Sequence, residues 1–117
     1  LRFIIDLIDT AKVIGKRDLF DYDAINARAG VGIVLTDLSE RSKGYAYEAL
    51  NSIVNYSKDT LHLNQLYCSM HASNFASIQL FEKMNFSKTG QRKSWFKVGL
   101  NNWEDEVEMQ LLLSYNL

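Results

Sequence analysis

GIVLTDLSERSKGYAYEAL, residues 32–50, is the stretch whose reading decides the fold. Its first residues continue an alternation that starts at Ala29: Ala29, Val31, Ile33 and Leu35 take every second place, with Gly30, Gly32 and Val34 between them. Period two is the mark of a strand. Glycines inside a strand weaken it, so they suggest close approach by a ligand or another backbone. A polar loop is expected over Thr36 to Lys43, and then the period changes. From Gly44 to about Asp59, Ala46, Ala49, Leu50, Ile53 and Val54 keep the spacing of an amphipathic helix lying on a sheet. Such a strand–loop–helix passage leaves free N–H groups at the helix start, with about half a positive charge from the aligned peptide dipoles. A pyrophosphate fits there. Gly44 permits close approach, Ala46 keeps the first turn uncluttered, and Arg41 and Lys43 supply charge of the right sign. Alone, an R-x-x-G-x-A string such as 41–46 is weak, because many helices begin this way.

Outward from that stretch the pattern repeats. Upstream, residues 2–9 set Phe3, Ile5 and Leu7 on one strand face; a less clearly patterned strand over 12–23 precedes a turn at Asn26. Downstream, residues 64–70 alternate again, with Leu66, Cys68 and Met70 on one face. A second helix is expected from about Phe75 to Met84, with Ser73 or Asn74 as its cap. Residues 87–98 and 105–114 read as two long strands joined by a turn near Gly99-Leu100-Asn101-Asn102, with Val107, Met109, Leu111 and Leu113 on the buried face of the second. The order β-β-β-α-β-α-β-β implies an α/β or α+β domain with a mixed sheet.

With 117 residues there is room for one domain, and neither linkers nor repeats divide the chain. Hydrophobic residues at 47% and charged residues at 23% suit a soluble globular protein rather than a disordered one. Formal charge is −1 without a basic stripe, which argues against nucleic acid as a main partner. No apolar run approaches the roughly 20 residues of a membrane-spanning helix. The single cysteine, Cys68, excludes an internal disulfide and fits a reducing, cytoplasmic setting. The chain opens on Leu1-Arg2-Phe3-Ile4-Ile5, without an initiator Met or a signal-peptide layout, so the sequence is expected to be the later part of a longer protein.

Four segments, in order, carry a resemblance. They are GIVLTDLSERSKGYAYEAL (32–50); QLYCSMH (65–71) leading into SNFASIQLFEKMNF (73–86); TGQRKSWF (89–96); and NNWEDEVEMQLLL (101–113). Together they resemble the GCN5-related N-acetyltransferase superfamily. They are most similar to the branch of ribosomal-protein N-terminal acetyltransferases and spermidine-type polyamine acetyltransferases. The resemblance implies a mixed, mostly antiparallel sheet flanked by helices. It also implies that the family's first strand and first two helices, which wall the acceptor site, are missing here. A homodimer formed through the edge so exposed is a further expectation.

The resemblance further implies acetyl-CoA as cosubstrate and no metal. The pyrophosphate would lie on Arg41, Ser42, Lys43, Gly44, Tyr45 and Ala46. The pantetheine arm would lie like an added strand against the backbone of Ile33, Val34 and Leu35, and Asn74 would hydrogen-bond it, with helix capping as the other role for Asn74. The same backbone N–H groups could polarise the thioester carbonyl. Relatives use a Tyr as acid where this chain has Phe81, and often a Glu as base near Gly30. Ser77, one turn before Phe81, is the first candidate for the acid, with Tyr67 and Tyr45 behind it; its other reading is a small residue facing the sheet. His71 is a candidate proton relay, since imidazole titrates near neutral pH, and His62 is a weaker one.

Glu104, Asp105, Glu106 and Glu108 read as a solvated hairpin edge or as an attraction for a cationic acceptor, with Glu106 matching the family's acidic position. Trp95 and Trp103 are expected in core or hairpin packing, with an acceptor-pocket wall as the alternative. Cys68 is expected to be buried. The function implied is transfer of acetyl to a primary amine: a protein N-terminus, a polyamine or another small amine. The alternative is a non-catalytic acyl-CoA sensor or interaction module.

Overall fold

A computed structural model describes residues 3–5, 17–33 and 40–113 of the chain. Their elements are β1 (Phe3–Ile5), β2 (Arg17–Asp23), β3 (Arg28–Ile33), α1 (Glu40–Asp59), β4 (Gln65–His71), α2 (Phe75–Lys83), β5 (Ser87–Lys97) and β6 (Trp103–Leu112). The order is the one the periodicities predict. All six strands join one sheet in the order β1-β2-β3-β4-β6-β5. Only the β3–β4 pair is parallel.

Strand alternation sorts the side chains between two faces. Leu19, Ala29, Val31, Leu66, Cys68, Met70, Val107 and Met109 are buried together with Leu50 and Ile53 of α1 and Phe81 of α2, so both helices lie on this face. Each large aliphatic side chain so buried contributes about 1.5–3 kcal/mol. The opposite face carries Phe20, Gly30, Tyr67, Ser69, His71, Glu106 and Glu108; among the described residues no helix covers it. No helix among the described residues is long and apolar enough to cross a membrane.

Turn chemistry fixes the connections. Between β2 and β3 the carboxylate of Asp23 accepts from the Asn26 backbone N–H at 3.0 Å and from its side-chain amide at 2.8 Å, while Ala27 takes a left-handed φ of 51°. Asn74 caps α2, its side-chain oxygen accepting from the Ser77 N–H at 3.2 Å. Asn85, with φ 70°, ends the same helix in the left-handed region, which Asn tolerates better than most residues.

Two expectations need correction. Helix α1 starts at Glu40, four residues before Gly44, so Arg41 to Ala46 form its opening turns rather than a loop in front of it. Glu40, Arg41 and Lys43 are straight-chain helix formers, and Gly44 costs only about 1 kcal/mol inside a helix that packs well further on. The acidic run is likewise not at a sheet edge: Glu106 is buried, while Glu104, Asp105 and Glu108 stay partly exposed. Strand β6 is flanked by β4 and β5, and β5 is the outer strand. The apolar alternation of Val107 and Met109 draws β6 inward, and Glu106 on its other face is buried with it.

Candidate functional site

The β3–β4 ladder is short. It runs through Arg28–Gln65, Ala29–Leu66 and Gly30–Tyr67 and then stops. Beyond that point β3 stays paired to β2 as far as Ile33, and β4 stays paired to β6 as far as His71. The sheet therefore opens between Val31–Ile33 on one side and Cys68–His71 on the other. Backbone donors and acceptors along such an edge need a partner, and an extended chain laid between the strands supplies them in the manner of an added strand. Ile33 ends β3 at this opening. Val34 and Leu35, predicted to continue the same contact, lie outside the described residues. Helix α1 follows, and with its start at Glu40 the free N–H groups belong to Glu40 and the residues just after it. Ala46 is buried.

Bare backbone at Gly30 has a different cause from the one expected. A Cβ there would collide with the ring of Phe20, its cross-strand partner on β2. The close approach seen here is by an aromatic side chain. Phe20 meets Tyr67 edge-on, with ring centroids 6.3 Å apart and planes at 84°. Burial, and after it the charge of Asp21, holds the Tyr67 phenol above its usual pKa, so it keeps its proton at neutral pH.

On the open face a cavity of about 700 Å³ is lined by Phe20 and Tyr67 at one side and by Ser69, Arg92, Glu106 and Glu108 at the other, among others. The side chain of Glu106 is 8% exposed, and among the described residues its Oε1 has no hydrogen-bond partner. The Arg92 Nε stands 3.4 Å from that oxygen, an ion pair without hydrogen-bond geometry, while Arg92 Nη2 donates to Glu108 Oε2 at 3.2 Å. The Arg92 guanidinium also lies 4.5 Å from the ring centre of Trp95. Beyond the cavity, His71 stacks flat on Phe96, centroids 3.8 Å apart, and its Nδ1 lies 3.3 Å from Glu104 Oε2. The other oxygen of Glu104 accepts the Ser73 N–H at 2.8 Å. Those Ser73 and His71 contacts hold the Glu104 carboxyl below the usual carboxylate range.

The two predicted proton carriers are not brought together. His71 belongs to the open face, whereas Ser77 is buried in the first turn of α2, one helical turn from Phe81 on the core side. Phe81 itself packs edge-on against Phe86, centroids 4.9 Å apart. Cys68 is buried as expected, and burial pushes its thiol up to about 12. His62 is exposed in the turn after α1. Trp95 and Trp103 are half exposed on the β5–β6 hairpin beside Arg92 and Lys97, not in the core. The sequence reading missed Arg92 and Phe96, and it named Glu104 only as part of the acidic run. Alternation along 103–112 places Glu104, Glu106 and Glu108 on one face, but only the register with β4 and β5 shows which residues they meet.

Comparison with known proteins adds the family. The chain is 31% identical over 96 residues to the uncharacterized N-acetyltransferase p20 of Bacillus licheniformis, covering 82% of this chain and 53% of that protein. It is 28% identical over 102 residues to human alpha/beta-tubulin-N-acetyltransferase 9, covering 86% and 49%. The chain thus spans about half the length of these curated relatives. The fold is similar to that of spermidine N-acetyltransferase from Vibrio cholerae in its complex with CoA and spermine, with a TM-score of 0.75 at 24% identity over 86% of this chain and 59% of that one. Residues 1–87 match the family model of the acetyltransferase (GNAT) domain. On that match, the parted strands and the helix beyond them are those of a GNAT acetyltransferase domain, and the chain belongs to that family.

Proposed function

We propose that the protein transfers the acetyl group of acetyl-CoA to a primary amine. The opening between β3 and β4 carries this reading, because it offers an unpaired strand edge that leads to a helix start. The pantetheine arm fits the edge at Val31–Ile33, and the pyrophosphate fits the first turns of α1 with Arg41, Ser42, Lys43, Gly44 and Tyr45. Acetyl-CoA supplies an activated carbonyl. The amine must reach it neutral, negative charge builds on the carbonyl oxygen, and the departing sulfur needs a proton. The N–H groups of the open β3 edge suit the oxygen. For the proton, Ser77 remains our first candidate, and Tyr67 is a second that keeps its proton at neutral pH. His71, its ring fixed by Phe96 and Glu104, suits a relay through water from the acceptor side.

The acceptor reading is a cationic amine, supported by the acidic cavity wall and by relatives named for spermidine and for tubulin. A cytoplasmic setting, supported by the free thiol of Cys68, is part of the proposal. A second reading, an acyl-CoA-binding module without turnover, is favoured by one observation: Phe81 and the Phe20–Gly30 contact stand where relatives carry acid and base.

Thermal melts of the full-length protein with acetyl-CoA test binding. Ligand at 100 times its Kd is expected to add about 2.7 kcal/mol, and no shift would sink both readings. Thiol release with an amine panel separates them. Release that depends on the amine supports transfer, and tight binding without release supports the module. Ser77→Ala is expected to slow release without weakening binding; undiminished turnover would remove Ser77 as the acid.

A further inference from the structure

We infer that Glu104 is the positioning residue of a carboxylate–imidazole pair: it holds His71 in the tautomer protonated at Nδ1, so that Nε2 is the atom that takes the acceptor's proton. The inference rests on the amine-acetyltransferase reading and names the residue that prepares its base.

Glu104 is committed through both oxygens. Oε1 accepts the Ser73 N–H at 2.8 Å, and Oε2 lies 3.3 Å from His71 Nδ1. The Ser73 and His71 contacts favour the charged form, so at neutral pH the group is a carboxylate. A carboxylate only accepts, so the hydrogen of the second contact sits on Nδ1. In a neutral imidazole the other nitrogen then carries a free electron pair. Nε2 has no hydrogen-bond partner among the described residues, and the side chain is 45% exposed.

Cross-strand register makes the pair rigid. Phe96, on which the imidazole lies flat at 3.8 Å, is the β5 partner of Glu104 in the ladder. Platform and carboxylate thus come from one residue pair. One position further along β6, the Asp105 carbonyl accepts the Ala72 N–H at 2.8 Å, which ties the same stretch of strand to the end of β4. Glu106, the ladder partner of His71, is engaged by Arg92 and leaves the imidazole to Glu104.

The pair can make the acceptor reactive. An ammonium loses one N–H bond through a bridging water, a new N–H bond forms at Nε2, and the electron pair left on the amine attacks the thioester carbonyl. The positive charge passes from the amine to the imidazole, where the Glu104 carboxylate offsets it. A Glu104 that only tied down the β4–α2 turn would need no more than its Ser73 contact.

Glu104→Gln separates the two roles. Its amide oxygen can still accept from Ser73, but its amide nitrogen then faces Nδ1 as a donor, which moves the ring hydrogen to Nε2. In isotope-labelled, full-length protein, at a pH where the ring is neutral, nitrogen–hydrogen correlation NMR is expected to show His71 protonated at Nδ1. In Glu104→Gln it should show protonation at Nε2. Thiol release with an amine is expected to fall about tenfold or more in Glu104→Gln and in His71→Gln alike. The double variant should lose no more than either single one, because Glu104 acts through His71. A ring protonated at Nε2 in the unmodified protein overturns the inference. So does a tautomer or a release rate unmoved by Glu104→Gln, or penalties that add in the double variant. Acetyl-CoA binding and amine-dependent release by the unmodified protein, measured alongside, tell the failures apart. Absence of either counts against the proposed function and removes the proton-accepting role with it. Their presence with any of the overturning results counts only against Glu104.

Discussion

The two faces of strands β4 and β6 share the same residues of chain and do opposite work. On one, Leu66, Cys68, Met70, Val107 and Met109 pack under the helices and are buried. On the other, Tyr67, Ser69, Glu106 and Glu108 line a cavity, and His71 stacks on Phe96 beyond it. The first face tolerates little change in volume, because close packing makes each methylene count. The second is held by charge, stacking and hydrogen bonds, and is free to vary in chemistry. Stability is concentrated on one side of the sheet, and the recognition we propose lies on the other.

The largest effect that could break this comparison is a core truncation. Leu66→Ala is expected to cost about 2–5 kcal/mol in urea unfolding, whereas Ser69→Ala on the same strand should stay within about 0.5 kcal/mol. Similar costs for the two would erase the division. Next comes the one point where the open face is tightly packed. Gly30→Ala drives a methyl into the Phe20 ring and should cost about 1–3 kcal/mol, most of it recovered when Phe20→Leu is added. Additive penalties would show that the ring is not the obstacle. Third, with its thiol pushed up to about 12 by burial, Cys68 should resist alkylation at pH 8 in the folded protein and react on unfolding. Rapid labelling of folded protein would place it on the wrong face.

The smallest expected effect concerns pH. The Glu104 carboxyl lies below the usual carboxylate range in the folded protein, so its hold on Ser73 is complete above that range and is lost as pH falls through the lowered value. Protection of the Ser73 amide from hydrogen exchange, taken relative to its intrinsic rate at each pH, should therefore fall in acid, and Glu104→Gln should flatten that dependence. An unchanged profile would mean that the carboxylate does not hold the β4–α2 turn.

Legibility in the sequence followed the same division. The core face could be read directly, because burial imposes periods of two and of 3.6 that survive without knowledge of partners. The N-cap at Asn74 was legible for a similar reason: capping is local. The start of α1 was not, since Gly44 looked like a boundary while Glu40 to Lys43 extended the helix past it. Nor was Phe20 over Gly30, or Arg92 between Glu106 and Glu108, because each depends on cross-strand register that no local pattern encodes.

The short β3–β4 ladder also has a mechanical side. Among the described residues, three residue pairs join β1-β2-β3 to β4-β6-β5 within the sheet, and the Asn64 and Gln65 N–H groups donate to the Ala27 carbonyl at the same end. The sheet resembles a hinge closed at one end, with two stiff leaves meeting along a brief weld. An extended ligand seated between the leaves would lengthen that weld by its own hydrogen bonds. Occupancy would then couple the unfolding of the two leaves, so that the loaded protein opens as one unit where the empty one can open in two.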